Sequence, residues 1–295
     1  MVDSLPVFDR QREPTTALRD ILAGRPTFLV AGGPSTKVLD LSRIAGRGVF
    51  TMAINNMAGH FHASAFVCSD PPSKFHDGIW RDPSIMKFVP LPKLTDKPRR
   101  GGLREKREDG TFHHIRHPDD ENKAFCVQHC PNVWGFERRT WWAYDDSFFT
   151  EPSASWGNGK DGQTRTGNPT TFNTMLLALR LLYYMGSRRI FLLGVDFSMP
   201  PGQCYAFDQI KPGAKSDATD CNAHQYQVVN YGLTSMVNAG VFQRAGLEIY
   251  NCNRESGLRA FPYVPYEAAV ADALKGFPKE PFSLSGWYEK EGEKK

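Results

Sequence analysis

FLVAGGPS, residues Phe28 to Ser35, joins four apolar residues to a glycine pair, a proline and a serine. An unbroken apolar run suits a strand covered on both faces, the usual condition inside a parallel sheet. Gly32 and Gly33 carry no Cβ, so the chain there can turn tightly and approach another group closely. Pro34 and Ser35 fit the first turn of a helix, which Lys37 to Arg43 is able to continue. Strand, glycine turn and helix start together predict an anion site made of free backbone N–H groups. The expected ligand carries phosphate, with Gly32, Gly33, Pro34 and Ser35 as its contacts. Two common phosphate fingerprints are absent: no third glycine follows at the dinucleotide interval, and no Gly-Lys-Ser/Thr occurs in the chain.

Downstream segments extend this pattern. Gly48 to Ile54 (GVFTMAI) reads as a second strand ending at Asn55-Asn56, and Ala65 to Cys68 as a third ending at Ser69-Asp70-Pro71-Pro72. Met86 to Val89 reads as a fourth, and Ala17 to Leu22 has room for one or two helical turns. Polar residues just past each strand fall at the carboxyl edge of a parallel sheet, where ligand crevices form. Regularity stops from Lys93 to about Gly162. Here Lys97, Arg99, Arg100, Arg104, Lys106 and Arg107 face only Glu105 and Glu108, ahead of Trp134, Phe136, Trp141, Trp142, Tyr144, Phe148 and Phe149. So many aromatic residues predict an ordered insertion or lid over 93–162, with short strands of its own.

Thr170 to Gly186 restores helical spacing and stops at glycine. Arg188-Arg189 lead into IFLLGVDFS (Ile190 to Ser198), an apolar strand ending at Gly194 and Asp196. A helix over Tyr231 to Ala245 and a strand over Leu247 to Tyr250 follow, and the last residues (FSLSGWYEKEGEKK) read as surface. The expected fold is α/β, a Rossmann-like, doubly wound, mostly parallel sheet. Residues 1–295 would form a single nucleotide-binding domain with 93–162 as an insertion.

At 295 residues, 40% hydrophobic and 23% charged, the chain has the make-up of a globular enzyme with a sizeable core. A net charge of +4 permits a polyanionic partner without demanding one. Six scattered cysteines do not form the dense framework of a secreted disulfide scaffold, which favours reduced thiols and a cytoplasmic setting. The first residues (MVDSLPVFDRQREP) lack the apolar centre of a signal peptide, and no apolar run reaches membrane-spanning length. A soluble protein is expected.

Several side chains carry chemistry in their own right. Asp70, followed by two prolines, Lys74 and His76, ends a buried strand on the crevice edge. It could bind a sugar hydroxyl, act as a base, or cap its own turn, while Lys74 could pair with phosphate. Asp196 could hold a ribose or an acceptor, or tie down the turn before Met199. His113, His114, His117, Cys126, His129 and Cys130 have zinc-ligand types, but their spacing matches no standard zinc module, and no metal site is expected. The basic run with its tryptophans leaves a nucleic-acid acceptor open.

One ordered set of motifs resembles a known group. It comprises AGGPS, a strand ending in Asn55, a strand ending in Asp70-Pro71, Arg165-Thr166-Gly167 opening a helix, IFLLGVDFS, and Tyr205-Ala206-Phe207-Asp208. This order is similar to the bacterial lipooligosaccharide sialyltransferases. It is also similar to the wider group of domains like 6-hydroxymethylpterin diphosphokinase, which includes flagellar motility accessory factors. The likeness covers roughly Phe28 to Pro72 and Thr164 to Tyr250, and YAFD after the GxDF strand end is its most specific element.

The resemblance implies a metal-independent glycosyltransferase without cofactor, taking a nucleotide sugar and a glycan or other hydroxyl acceptor. On it, Gly32 and Gly33 lie against the nucleotide, Gly32 standing where the family has asparagine. Asn55 hydrogen-bonds the nucleotide, and Asp70 stands where the family has an asparagine on the donor. Thr166 and Gly167 match a Ser-Gly pair beside the base or ribose. Tyr205 matches a tyrosine that supports the leaving phosphate, a role open to a neutral O–H donor. Ser198 stands where the family has a second tyrosine, and Asp208 would order the YAFD turn. The family's general-base histidine falls near Val228 with minimal gaps. His224, at another histidine of the pattern, is the candidate base, with Asp70 as the second candidate. These departures leave the donor sugar open. Three alternatives stand beside this reading: a Mg²⁺-dependent pyrophosphotransferase using Asp70 and Asp196, a phage-type enzyme glycosylating DNA bases, and a non-catalytic nucleotide-binding protein.

Overall fold

The computed structural model describes residues 7–98, 104–106, 112–114, 124–137, 144–150, 173–198, 205–207 and 219–276. Its centre is an eight-stranded sheet. In chain order the strands are β1 (Val7–Phe8), β2 (Pro26–Val30), β3 (Phe50–Ile54), β4 (Ala65–Val67), β5 (Met86–Pro90), β6 (Arg104–Lys106), β7 (Phe112–His114), β8 (Val133–Phe136), β9 (Arg189–Leu193) and β10 (Glu248–Asn251). The sheet runs β1-β8-β5-β4-β3-β2-β9-β10, while β6 and β7 pair with each other apart from it. Neighbours in the sheet are parallel except β1, which lies antiparallel on β8.

The apolar strands are covered on both faces, as their composition requires. Phe28, Leu29 and Val30 are each 0% exposed, and successive residues point to opposite cores. Leu29, Met52, Val67, Phe88 and Leu192 belong to one core; Phe28, Ala53, Phe66, Val89 and Phe191 belong to the other. Helix α3 (Thr174–Tyr184) buries Leu176 to Leu182 in the first, joined by Val229, Leu233 and Met236 of α4 (Thr219–Asn238). Helix α6 (Tyr266–Ala273) closes the second with Tyr266, Ala269, Val270 and Ala273. Shorter helices are α1 (Asp77–Arg81), whose Trp80 packs edge-on against Phe66, α2 (Ser147–Thr150) and α5 (Val241–Arg244). The described helices include none long and apolar enough to cross a membrane.

From β2 the sheet grows first to one side, through β3, β4, β5 and β8, and then to the other, through β9 and β10. The order therefore reverses between β2 and β9, and a crevice opens at their carboxyl ends.

The α/β character and the mostly parallel sheet agree with expectation, and four local readings are corrected. After the glycine turn the chain forms two 3₁₀ turns, Pro34–Val38 and Leu41–Arg43, in place of one helix. Leu39 is extended between them, and the Asp40 carboxylate accepts the Ser42 N–H, a local bond that competes with helix. Within 93–162, Val133–Phe136 is a strand of the main sheet paired with β5; its short VWGF sequence, broken by Gly135, hid the signal. The helix expected over 231–245 starts earlier, at Thr219, and divides at Gly240, where φ is +72°. Ala17 to Leu22 lies in turns.

Candidate functional site

A cavity of about 440 Å³ occupies the crevice. It draws its lining from the segments after β2 (Gly32, Gly33), β3 (Asn55, Asn56), β4 (Ser69, Asp70, Lys74) and β9 (Gly194 to Ser198). Tyr205, Phe207, Asn173 at the start of α3, and Gln225 and Tyr226 of α4 complete it. Asn173 is fixed as the cap of α3, its Oδ1 accepting the Met175 N–H at 2.9 Å. Of the residues singled out in the sequence, Gly32, Gly33, Asn55, Asp70, Lys74, Asp196, Ser198 and Tyr205 meet here, whereas Pro34 and Ser35 do not line the cavity.

The glycine turn is committed to the protein itself. The Gly33 N–H donates to the Gly194 carbonyl at 3.0 Å, and the Thr36 N–H to the Gly33 carbonyl at 3.1 Å. The Ser35 N–H donates to Asp196 Oδ2 at 2.8 Å, and the Ser35 hydroxyl donates to Asp196 Oδ1. Asn253 Nδ2 also donates to Asp196 Oδ1, at 2.8 Å. The N–H groups of Gly33, Ser35 and Thr36, expected to face an anion, are therefore spent, and a buried carboxylate already stands beside them. Glycine is needed for close approach between chain segments: a Cβ on Gly33 would sit on the Gly194 carbonyl oxygen and 2.6 Å from Asp196 Oδ2. Gly194, at φ +65°, has its own Cβ position blocked by the Ala31 carbonyl.

Asp196 is thus a clamp joining the segments after β2, after β9 and around Asn253, the last of which carries no motif in the sequence. The same clamp governs Phe197. Its φ of +48° is a conformation that a bulky residue adopts only under constraint. Gly257 N–H donates to the Asp196 carbonyl at 2.7 Å and the Ser256 hydroxyl to the Val195 carbonyl at 2.6 Å. Phe197 then stacks on Tyr226 with ring centroids 4.7 Å apart, forming an aromatic wall of the cavity.

A second aromatic group also lines the cavity. The Ala206 N–H donates to the Gly32 carbonyl at 3.0 Å, which seats residues 205–207 over the turn. Phe207 stacks on His60 at 4.0 Å and lies 6.0 Å from Tyr205. Tyr205 is 39% exposed, at the mouth of the cavity. Two aromatic groups lining one cavity with polar amide and hydroxyl groups suit a flat or ring-shaped ligand with hydrogen-bonding edges.

On the β3–β4 side, Asn55 has φ +53°, which asparagine tolerates. Asp70 is paired with Lys74 at 3.1 Å, both side chains reaching solvent. Ser69 is only 7% exposed, and its hydroxyl has no hydrogen-bond partner. Ser69 was missed in the sequence because a serine beside Asp-Pro-Pro reads as part of a turn.

Thr166, Gly167 and Asp208 lie outside the described residues, as do His117 and Arg99, Arg100 and Arg107 of the basic run. His224 belongs to α4, one residue before the cavity-lining Gln225, but its side chain is outside the described set, as are those of His113 and His114. Cys126 and Cys130 are buried, and the Cys126 N–H donates to His129 Nδ1 at 3.1 Å, so His129 serves a local turn. Among the described residues no group of three or more His, Cys, Asp or Glu side chains could hold a metal ion. The Mg²⁺-dependent alternative would call on Asp70 and Asp196, but both Asp196 oxygens are already engaged by Ser35 and Asn253, a poor fit for a cation ligand. Comparison with protein-family models, with curated proteins and with solved structures gives no match.

Proposed function

We propose that the chain is a glycosyltransferase that binds a nucleotide-linked sugar across this crevice and transfers the sugar to a hydroxyl acceptor without a metal ion. The observation that carries the reading is the cavity at the strand-order reversal. It gathers eight residues singled out in the sequence from segments more than 170 positions apart. The proposal includes a doubly wound frame and Thr166 and Gly167 beside the nucleoside. Aromatic rings and uncharged amides lining one cavity suit a nucleoside and a sugar.

In the proposed reaction the acceptor oxygen attacks the anomeric carbon as the bond from that carbon to the phosphate oxygen breaks. The phosphate leaves with the electron pair, and the Tyr205 hydroxyl donates a hydrogen bond to it. The acceptor proton passes to a base, for which His224 on α4 and Asp70 on the β4 side are the two candidates.

The test is nucleotide release from CMP-, UDP-, GDP- and ADP-linked sugars, with water or simple glycosides as acceptors. One donor class should be consumed with EDTA present, and Tyr205→Phe should lower kcat about tenfold or more while moving KM little. Consumption of none of the donors, or full loss of turnover in EDTA, contradicts the proposal; the second result would favour pyrophosphate transfer.

A further inference from the structure

The crevice crosses four strand ends in the order β9, β2, β3, β4. Three strand spacings separate its two ends, roughly 14 Å. These ends differ in what they offer an anion. At the β2–β9 end the N–H groups of Gly33, Ser35 and Thr36 are used internally, and a phosphate there would meet the Asp196 carboxylate. At the β4 end stands Lys74, the one cation among the described residues lining the cavity. Beside it is Ser69, buried to 7% exposure, with a hydroxyl that no protein group satisfies. Leaving such a hydroxyl unpaired costs about 1–3 kcal/mol, a cost that a ligand accepting its hydrogen bond removes. The Asp70 carboxylate holds Lys74 at 3.1 Å, but both groups are partly exposed and such a pair is weak, so a phosphate can compete for the ammonium.

On the nucleotide reading above, we infer that the phosphates of the ligand sit at the β4 end, held by the Lys74 ammonium and the Ser69 hydroxyl. The uncharged part of the ligand then lies along Asn55, Gly32 and Asp196. Tyr205 is seated over the turn by the Ala206–Gly32 hydrogen bond and lines the same cavity. The subsite that a strand–glycine turn ordinarily supplies is thereby moved two strands along the sheet.

Isothermal titration of the full chain with adenosine, guanosine, cytidine, uridine and their four 5′-diphosphates tests this. Three variants are compared with the unsubstituted chain: Ser69→Ala, Lys74→Gln, and Lys37→Gln, which removes the same charge beside the glycine turn. At least one diphosphate should bind more tightly than its nucleoside. Ser69→Ala and Lys74→Gln should each weaken that diphosphate about tenfold and leave the nucleoside within about twofold. Lys37→Gln should change neither. If Lys37→Gln weakens the diphosphate while Lys74→Gln does not, the phosphate lies at the turn and the inference is overturned. Equal loss of nucleoside and diphosphate in Lys74→Gln overturns it as well. If none of the eight compounds binds the unsubstituted chain, the nucleotide reading itself fails and the inference falls with it.

Discussion

At the amino edge of the sheet, Lys87 is 0% exposed, yet its Nζ donates to the carbonyls of Asp82, Ile85 and Pro131 at 2.5, 2.8 and 2.8 Å. Thr27 and Ser187, equally buried, share a hydrogen bond of 2.9 Å between their hydroxyls. Thr51 and Ser64 exchange two, each backbone N–H donating to the other's hydroxyl. At the carboxyl edge, by contrast, the Ser69 hydroxyl is left without a partner. Size does not separate the two edges, since a hollow of about 490 Å³ also lies at the amino edge, by Arg25, Arg188 and Glu248. What separates them is completion. Around the amino-edge hollow Arg188 donates to the Tyr183 carbonyl and Arg189 pairs with Glu248 and Asp272. Native proteins satisfy buried polar groups wherever they can, so the edge left incomplete is the edge that a ligand completes.

The largest way to break this contrast is through its glycines. Gly33→Ala forces a Cβ onto the Gly194 carbonyl and against Asp196, and should destabilise the fold by about 3 kcal/mol or more in urea unfolding. Gly24→Ala, at the amino edge, meets nothing within 4 Å although φ is +73°. It should cost about 1 kcal/mol, the strain of the left-handed conformation alone. Equal costs would mean that the turn is not wedged against the β9 end.

Next comes Lys87. Lys87→Met leaves three carbonyls without their donor and should cost about 3 kcal/mol near neutral pH. Burial lowers the ammonium from its ordinary 10.5 to about 8. Between those two values the folded chain has released this proton while the unfolded chain keeps it. The share of stability owed to Lys87 therefore rises as pH climbs from about 8 to 10.5. The difference in unfolding free energy between the unsubstituted chain and Lys87→Met should widen over that range; a flat difference would show that burial does not shift the lysine.

The smallest effects sharpen the contrast most. Ser187→Ala removes one partner of a closed pair and should cost about 1 kcal/mol. Ser69→Ala removes a buried hydroxyl that nothing in the protein satisfies, so it should stabilise the fold by about 1 kcal/mol. A Ser69→Ala loss as large as the Ser187→Ala loss would mean that the hydroxyl has an internal partner after all.

The sheet was legible because buried parallel strands advertise themselves as unbroken apolar runs. Phe28 to Val30, Met52 to Ile54 and Ile190 to Leu193 all read correctly. Part of the crevice lining was legible too, since residues just past such strands fall on one edge, and Asn55, Asp70 and Asp196 are found there. The use of the glycine turn was not. Nothing local distinguishes a glycine that admits a ligand from one that admits another chain segment, and the partner that decides it, Asp196, lies 163 positions from Gly33. Asn253 and Ser69 escaped for a related reason: polar residues in short loops carry no periodicity, and only tertiary placement shows one clamping a carboxylate and the other unpaired. β8 escaped because Gly135 interrupts its short apolar run and its Trp134 and Phe136 read as part of the aromatic insertion.

The measurement closest to the proposed function of the crevice is the melting temperature of the full chain with CMP-, UDP-, GDP- and ADP-linked sugars, beside ATP with Mg²⁺. A ligand at about one hundred times its Kd adds about 2.7 kcal/mol through linkage, or roughly 5 °C for a chain of this size. One class of nucleotide sugar should produce that rise, and the others should not. A rise with ATP and Mg²⁺ alone, or with none of the compounds, would contradict a nucleotide-sugar site at the carboxyl edge.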